Sequence, residues 1–292
     1  MCTGVEGVMG IPKKILSFGV ALIALASNAN GVGHGPVFGL ATPTNVQGGW
    51  TLDVSTMERV GSLDSGVMSR AMFSYGITED FQVSVSGPAV FSSAPLPPGR
   101  VTAMMPATSD FEGIAAWRFQ RRDNAVGSRL ETTAYAGVIV PGFQRLPGLL
   151  GSLHWAPGAL AMISTGYASR KRYLWAGIGA MTFAQSHGDR RPGVLVYNLV
   201  YGYRPPPLRK EYPHWDGRFF IETTGEISGK VQRGGIALPG TDGGRLFVGP
   251  TTLWLYKKYG IEGGIQFPVY RNTGPIFERE RYRVAINFSY FF

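Results

Sequence analysis

The sequence predicts an all-β fold: a closed antiparallel transmembrane β-barrel of about twelve strands, with ten and fourteen as the neighbouring counts. Three observations carry that prediction. Apolar residues alternate with polar ones at a period of two, the strand period. The connectors between alternating runs switch between short and long, as at the two rims of an outer-membrane barrel. The composition combines 41 Gly, 17 Phe, 13 Tyr and 6 Trp in 292 residues with a mean hydropathy close to zero. That balance is expected when one face of every strand meets lipid and the other a polar lumen.

Gly makes up about 14% of the chain, roughly twice the ~7% of an average protein, but without a Gly-X-Y period, so a collagen-like chain is excluded. No apolar run approaches the ~20 residues of a membrane-spanning helix, which excludes a polytopic helical protein. A secreted antiparallel sandwich remains the competing all-β reading, because its strands alternate too.

The first 29 residues read as a signal peptide. Lys13 and Lys14 precede the apolar run 15–26, and the small residues Ser27 and Ala29 follow, which is the order of basic, apolar and cleavage regions. Translation from either Met1 or Met9 is compatible with this leader. Its removal takes Lys13, Lys14 and Glu6 from a formal charge of +9 and leaves +8. The one cysteine, Cys2, goes with it, so the exported chain has no disulfide, thiol nucleophile or thiolate metal site. The expected organisation is a leader over 1–29, a periplasmic segment or plug over 30–48, and a barrel over 49–292.

The expected strands follow in order. Strand 49–58 alternates through Trp50, Leu52 and Val54 against Thr51, Asp53 and Ser55, and 65–75 closes on Tyr75 before a turn at 77–80. Strand 80–90 repeats the alternation through Phe81, Val83 and Val85. Runs 108–120 and 128–140 flank a turn at 121–127, and 159–168 and 171–184 flank Ser169, Arg170 and Lys171. Runs 194–203 and 216–228 come next, then 244–256 and 259–269 around Lys257 and Lys258. The last strand, 279–291, puts Tyr282, Val284, Ile286, Phe288 and Tyr290 on one face and Arg283, Ala285, Asn287 and Ser289 on the other. The longer connectors, 91–107, 141–158, 185–193, 229–243 and 270–278, are rich in Pro and Gly. One connector departs from the pattern: 204–215 falls among the short turns but holds Pro205, Pro206 and Pro207.

Aromatic residues near strand ends are expected to form two interfacial girdles: Trp50, Tyr75, Phe81, Trp117, Phe119, Tyr173, Trp175, Tyr203, Trp254, Tyr256, Tyr259 and Tyr270. Glycines inside strands, Gly137, Gly177, Gly179, Gly225, Gly263 and Gly264, suit places where a barrel bends or packs against an inserted element.

Two stretches carry a resemblance. The C-terminal alternation ending at Tyr290 and Phe292 resembles the terminal strand by which outer-membrane barrels are recognised for assembly. Residues 74–88, SYGITEDFQVSVSGP, resemble a hairpin of a porin-like family named for the MetA pathway of phenol degradation, and Gly33, His34, Gly35 and Pro36 leading to Trp50 resemble its N-terminal lead into the first strand. The resemblance implies an outer-membrane barrel that moves small molecules, aromatic or hydrophobic ones included. It carries over no substrate residues.

The candidate site is the set of charges on the polar faces of strands: Asp53, Arg70, Glu112, Arg118, Glu131, Glu222, Glu226, Glu262, Arg281 and Arg283. A charge facing mid-membrane lipid costs Arg about 2–4 kcal/mol, so all ten are expected to point inward. They would either form opposed acidic and basic walls that align solutes or fill the lumen with salt bridges. Basic residues in turns, such as Arg121, Arg122, Arg170 and Lys171, read as solvated rim charge. The expected partners are outer-membrane lipids, the barrel assembly machinery and a small solute. Nucleic acid, metal and cofactors are not implied, and the oligomeric state is left open.

Catalysis has thin support. His34, His154, His187 and His214 form no i, i+4 pair of the zinc-helix kind, and no Gly-x-Ser-x-Gly elbow occurs. Ser186 and His187 are the nearest imitation of the dyad of an outer-membrane lipid hydrolase, although adjacent residues normally point apart. A third reading is a structural barrel with a blocked lumen. An inward fold of 30–48 would place His34 and Phe38 in the pore.

Overall fold

The computed structural model describes residues 35–62, 65–92, 110–142, 148–154, 156–210, 213–275, 277 and 279–292. The expected leader and His34 lie outside the described residues. Twelve long strands build the wall: β1 (Trp50–Val60), β2 (Ser65–Gly76), β3 (Phe81–Ser92), β4 (Phe111–Ala125), β5 (Ser128–Val140), β6 (Gly158–Ser169), β7 (Arg172–Phe183), β8 (Val194–Tyr203), β9 (Asp216–Ser228), β12 (Gly243–Tyr256), β13 (Tyr259–Thr273) and β14 (Tyr282–Phe291). Between β9 and β12, the two-residue strands β10 (Gln232–Arg233) and β11 (Ile236–Ala237) form a separate ribbon in a loop. One short helix, α1 (Gly148–Gly151), sits in the loop after β5.

Each wall strand pairs antiparallel with its neighbour. β1 also pairs with β14, from Thr51↔Phe291 to Val60↔Tyr282, which closes the sheet. Closure pairs every sheet edge, the condition for a sheet to cross hydrocarbon. The expected strands match closely, with two informative differences. β4 runs on to Ala125 and pairs with β5 as far as Ala125↔Ser128, so the turn shrinks to two residues. Gly127 supports that turn with a φ of 76°, a conformation that glycine adopts without steric cost. β14 starts at Tyr282 rather than at 279. The proline-bearing connector 204–215 contains a 3-10 turn at Pro206–Leu208.

The faces separate barrel from sandwich. In β1, Thr51, Asp53 and Ser55 are buried while Leu52 and Val54 are exposed. The same inversion recurs around the wall, with Val85, Val138, Ile178, Leu199, Ile221, Ile261 and Ile286 all exposed. A sandwich buries the apolar face and wets the polar one; this molecule does the reverse. An apolar belt of that extent is stable only against other apolar matter.

Aromatic rings crowd the short-turn end of the belt. Trp50 lies 4.2 Å from Tyr75 and 4.7 Å from Phe73, Trp215 stacks on Tyr256 at 4.9 Å, and Tyr290 lies 5.3 Å from Tyr259 and 5.2 Å from Phe292. Tyr173 and Trp175 are corrections to the expected girdle. Both face inward and are buried, in a cluster with Val200, Phe220 and Leu253. β7 carries large side chains on both faces, so alternation alone left its orientation undecided, and only pairing with β6 and β8 settles it.

Candidate functional site

Residues 35–48 precede β1 and turn into the lumen. The chain leaves the short-turn rim, where the Gly48 N–H donates to the Gly76 carbonyl at 2.8 Å. Inside the wall, the Asn45 N–H donates to Gln82 at 2.8 Å and the Thr44 hydroxyl to the Glu79 carbonyl at 2.7 Å. Thr42 donates to Glu131 at 3.1 Å and accepts from Thr133 at 2.6 Å, and the Tyr135 hydroxyl donates to the Ala41 carbonyl. The backbone N–H groups of Val37, Phe38 and Gly39 all donate to the Glu222 carboxylate at 2.8 Å, and Thr251 donates to it as well. Successive amides converging on a carboxylate form an anion nest. The segment thus runs from the rim across to β9, with Phe38 and Leu40 buried.

The wall makes room for it. Gly177 on β7 faces Leu40, and a Cβ there would lie 2.5 Å from Asn198 Oδ1 and 3.1 Å from the Leu40 side chain. Leu40 joins Ile139, Leu160, Met162, Met181 and Val194 in a buried apolar cluster. Packing against an inserted element accounts for this strand glycine.

Nine of the ten charges chosen from the sequence are buried: Asp53, Arg70, Glu112, Arg118, Glu131, Glu222, Glu226, Glu262 and Arg283. Arg281 is the correction. It precedes β14 and is exposed, because strand alternation stops at Tyr282; its N–H donates to the Val60 carbonyl at 2.7 Å. Six of the nine fall into three ion-paired groups. Arg70 pairs with Glu112 at 2.8 Å. Arg118 bridges Glu131 at 3.1 Å and Asp80 at 2.8 Å. Glu226 and Arg283 belong to a network at the long-loop end: Arg245 pairs with Glu226 and, at 3.1 Å, with Glu280, which also contacts Arg59 and, at 3.4 Å, Arg283. Arg283 lies 3.4 Å over the Phe247 ring. Burial acts to raise the Glu280 carboxyl, but Arg59, Arg283 and Arg245 outweigh it and hold it below the usual carboxylate range.

Asp53, Glu222 and Glu262 are held differently, by neutral donors. Ser289 donates to Asp53 at 2.6 Å, and Asn287 donates to Glu262 at 3.2 Å. Sequence reasoning missed the buried Arg59, Arg245 and Asp216 and the half-buried Arg218, all of which follow strand alternation. It also missed Glu280, Asp110 and Arg191, which lie outside the strands and left no periodic signal.

Two cavities flank the segment. A small one, about 140 Å³, lies among Asp53, Glu262, Met72, Ile114 and Leu40; a larger one, about 660 Å³, lies toward the short turns among Arg129, Arg218, Tyr173 and Trp175. Pro43 lines both.

At the opposite rim, Asp189 ties three loops together. It accepts from the N–H of His154 at 2.9 Å, from His154 Nδ1 at 2.8 Å and from the N–H of Gly234 at 2.8 Å. Those donors lower its carboxyl to about 2. Ser186 and His187 do meet, with Oγ 3.0 Å from Nδ1. His187 has a φ of 51°, and this left-handed kink brings together side chains that an extended strand would separate. The nearby carboxylate, Asp189, contacts His154 instead. Among the described residues, no cluster of His, Cys, Asp or Glu suits a metal ion.

The barrel is similar to known outer-membrane proteins. An outer-membrane channel from Pseudomonas putida F1 shares 15% identity at a TM-score of 0.63, over 86% of this chain and 98% of that one. The NanC porin shares 10% identity at a TM-score of 0.50, over 82% and 98%. No protein-family model matches the sequence, and no curated protein matches it. The chain therefore shares the closed-barrel fold of these outer-membrane proteins. The likeness reaches the fold and not the phenol-degradation family, for which the hairpin at 74–88 remains a resemblance.

Proposed function

We propose that this chain is an outer-membrane channel for small solutes whose lumen is closed in the present conformation by residues 35–48, latched to Glu222. The observation that carries the reading is the run of three consecutive backbone N–H groups on one buried wall carboxylate. A segment needed only to fill space would pack by apolar contact. Here a carboxylate is spent on backbone donors of a strand-free segment, an attachment that local rearrangement can release while the wall stays paired. Export by the leader 1–29, insertion into outer-membrane lipid and recognition of Tyr290 and Phe292 by the assembly machinery belong to the same proposal.

Conductance of residues 30–292 in a planar bilayer tests it. The intact protein gives small or rare openings, and deletion of 35–45 gives large, persistent ones. Unchanged conductance in the deletion, with the barrel shown folded by its heat-dependent gel mobility, would remove the gate. Removing Phe292 lowers the yield of inserted barrel in cells without changing conductance of refolded protein.

The Ser186–His187 contact favours a second reading, an outer-membrane lipid hydrolase. Esterase activity that disappears in both Ser186→Ala and His187→Ala would establish it.

A further inference from the structure

The larger cavity has the chemistry of a binding site. Its volume of about 660 Å³ falls within the ~300–1,000 Å³ of small-molecule pockets. Five guanidinium groups and one carboxylate, that of Asp123, line it. Their neighbours leave a small excess of positive charge: Arg204 and Arg218 share Asp216, at 2.5 and 3.0 Å, Arg129 meets Glu131 at 3.0 Å beside Arg118, which also holds Asp80 at 2.8 Å, and Arg121 reaches Glu79 at 3.7 Å. Arg170 lines the cavity too and makes no ion pair among the described residues. One carboxylate shared by two guanidinium groups leaves donors for a further anion, and guanidinium matches a carboxylate in a two-point fork.

Two aromatic residues also line it. Tyr173 and Trp175 stack at 5.2 Å between ring centres, and the Arg218 guanidinium lies 5.4 Å over the Tyr173 ring. Trp175 is only 2% exposed, yet its Nε1 has no hydrogen-bond partner. At that exposure the N–H does not open into the cavity, and Trp175 contributes a ring to its wall rather than a donor to its occupant. The inner boundary is Pro43, so an occupant would rest against the segment that crosses the lumen.

We propose that this cavity binds a small aromatic carboxylate, its ring against Tyr173 and Trp175 and its charge met by Arg170 and Arg218. This deepens the channel reading by naming the solute class at the short-turn mouth, and rests on it for the solute's onward passage. Binding itself needs no conduction, so a silent barrel that binds leaves the site standing, and a conducting barrel that does not bind overturns the site alone.

The test is calorimetric titration of the refolded chain in detergent with sodium benzoate, benzyl alcohol and sodium acetate. Benzoate binds, while benzyl alcohol lacks the charge, acetate lacks the ring, and each binds at least about tenfold more weakly. Arg170→Gln, at an exposed position without an ion pair, weakens benzoate several-fold. Tyr173→Leu, which removes a ring from the lining, also weakens it. Equal binding of acetate, equal binding of benzyl alcohol, or benzoate affinity unchanged in both variants would each overturn the proposal.

Discussion

Next to the short turns, Glu222 accepts three backbone N–H groups from residues 37–39, and Glu262 and Asp53 accept from Asn287 and Ser289. Next to the long loops, Glu280 is ringed by Arg59, Arg245 and Arg283, and Arg245 reaches on to Glu226. Both regions bury carboxylates inside one barrel. In the first, uncharged donors hold them, and for Glu222 three of those donors come from a segment outside the wall. In the second, opposite charges do, and every partner sits on a wall strand or on the loop that joins β13 to β14. The difference separates what can move from what braces. Withdrawing the segment removes three donors from Glu222 and leaves the wall pairing untouched. Breaking the Glu280 network leaves buried guanidinium groups without their counter-charge, the costliest kind of vacancy.

Glu280→Gln therefore gives the largest effect: a loss on the order of 3–5 kcal/mol in urea unfolding of the refolded barrel, the range for removing one partner of a buried charge network. A loss no greater than that of Glu222→Gln would abolish the contrast. The pH dependence has a definite sign. The folded Glu280 carboxyl lies below its unfolded value of about 4.3, so its contribution is present above that value and is lost as pH falls below it.

Glu222→Gln follows, costing about 1–3 kcal/mol as the amides lose a charged acceptor. Its sharper signature is local: faster hydrogen exchange at Val37, Phe38 and Gly39, with unchanged exchange across the β1–β14 seam. Uniform acceleration over both would mean that segment and wall form one cooperative unit.

Gly177→Val acts on the same segment by crowding. The new side chain takes the space of Leu40, at an overpacking cost of about 1–3 kcal/mol. It raises conductance as the 35–45 deletion does while leaving Glu222 in place. Wild-type conductance would show that Leu40 can repack.

The smallest effect is expected at the long-loop rim. Asp189→Asn loosens the 148–154, 186–190 and 232–237 loops to protease and leaves unfolding of the barrel unchanged. In the wild type the carboxyl sits at about 2, below its unfolded value of about 3.9, so the tie holds at neutral pH and weakens between about pH 4 and 2.

Much of the wall was legible because strand alternation is local. Asp53, Glu131 and Glu222 could be placed inward from their immediate neighbours, and the turns at 77–80 and 257–258 from their polar residues. Tyr173 and Trp175 were misplaced because β7 has large side chains at both parities. Arg281 was misplaced because alternation was carried past the strand end. Glu280, Asp110 and Arg191 had no signal, since loop residues are brought together only by pairings distant in sequence.

The sequence by itself determined the strand periodicity, the alternation of short and long connectors, and the face on which most charges lie. Each depends on residues within about ten positions of one another, where backbone geometry translates pattern into direction. Only the tertiary structure decided that residues 37–39 meet Glu222, 183 to 185 positions away, and that Arg59, Arg245 and Arg283 converge on Glu280. Those contacts exist because β1 and β14 close the sheet. Closure brings distant strands around a shared lumen, which no local pattern encodes.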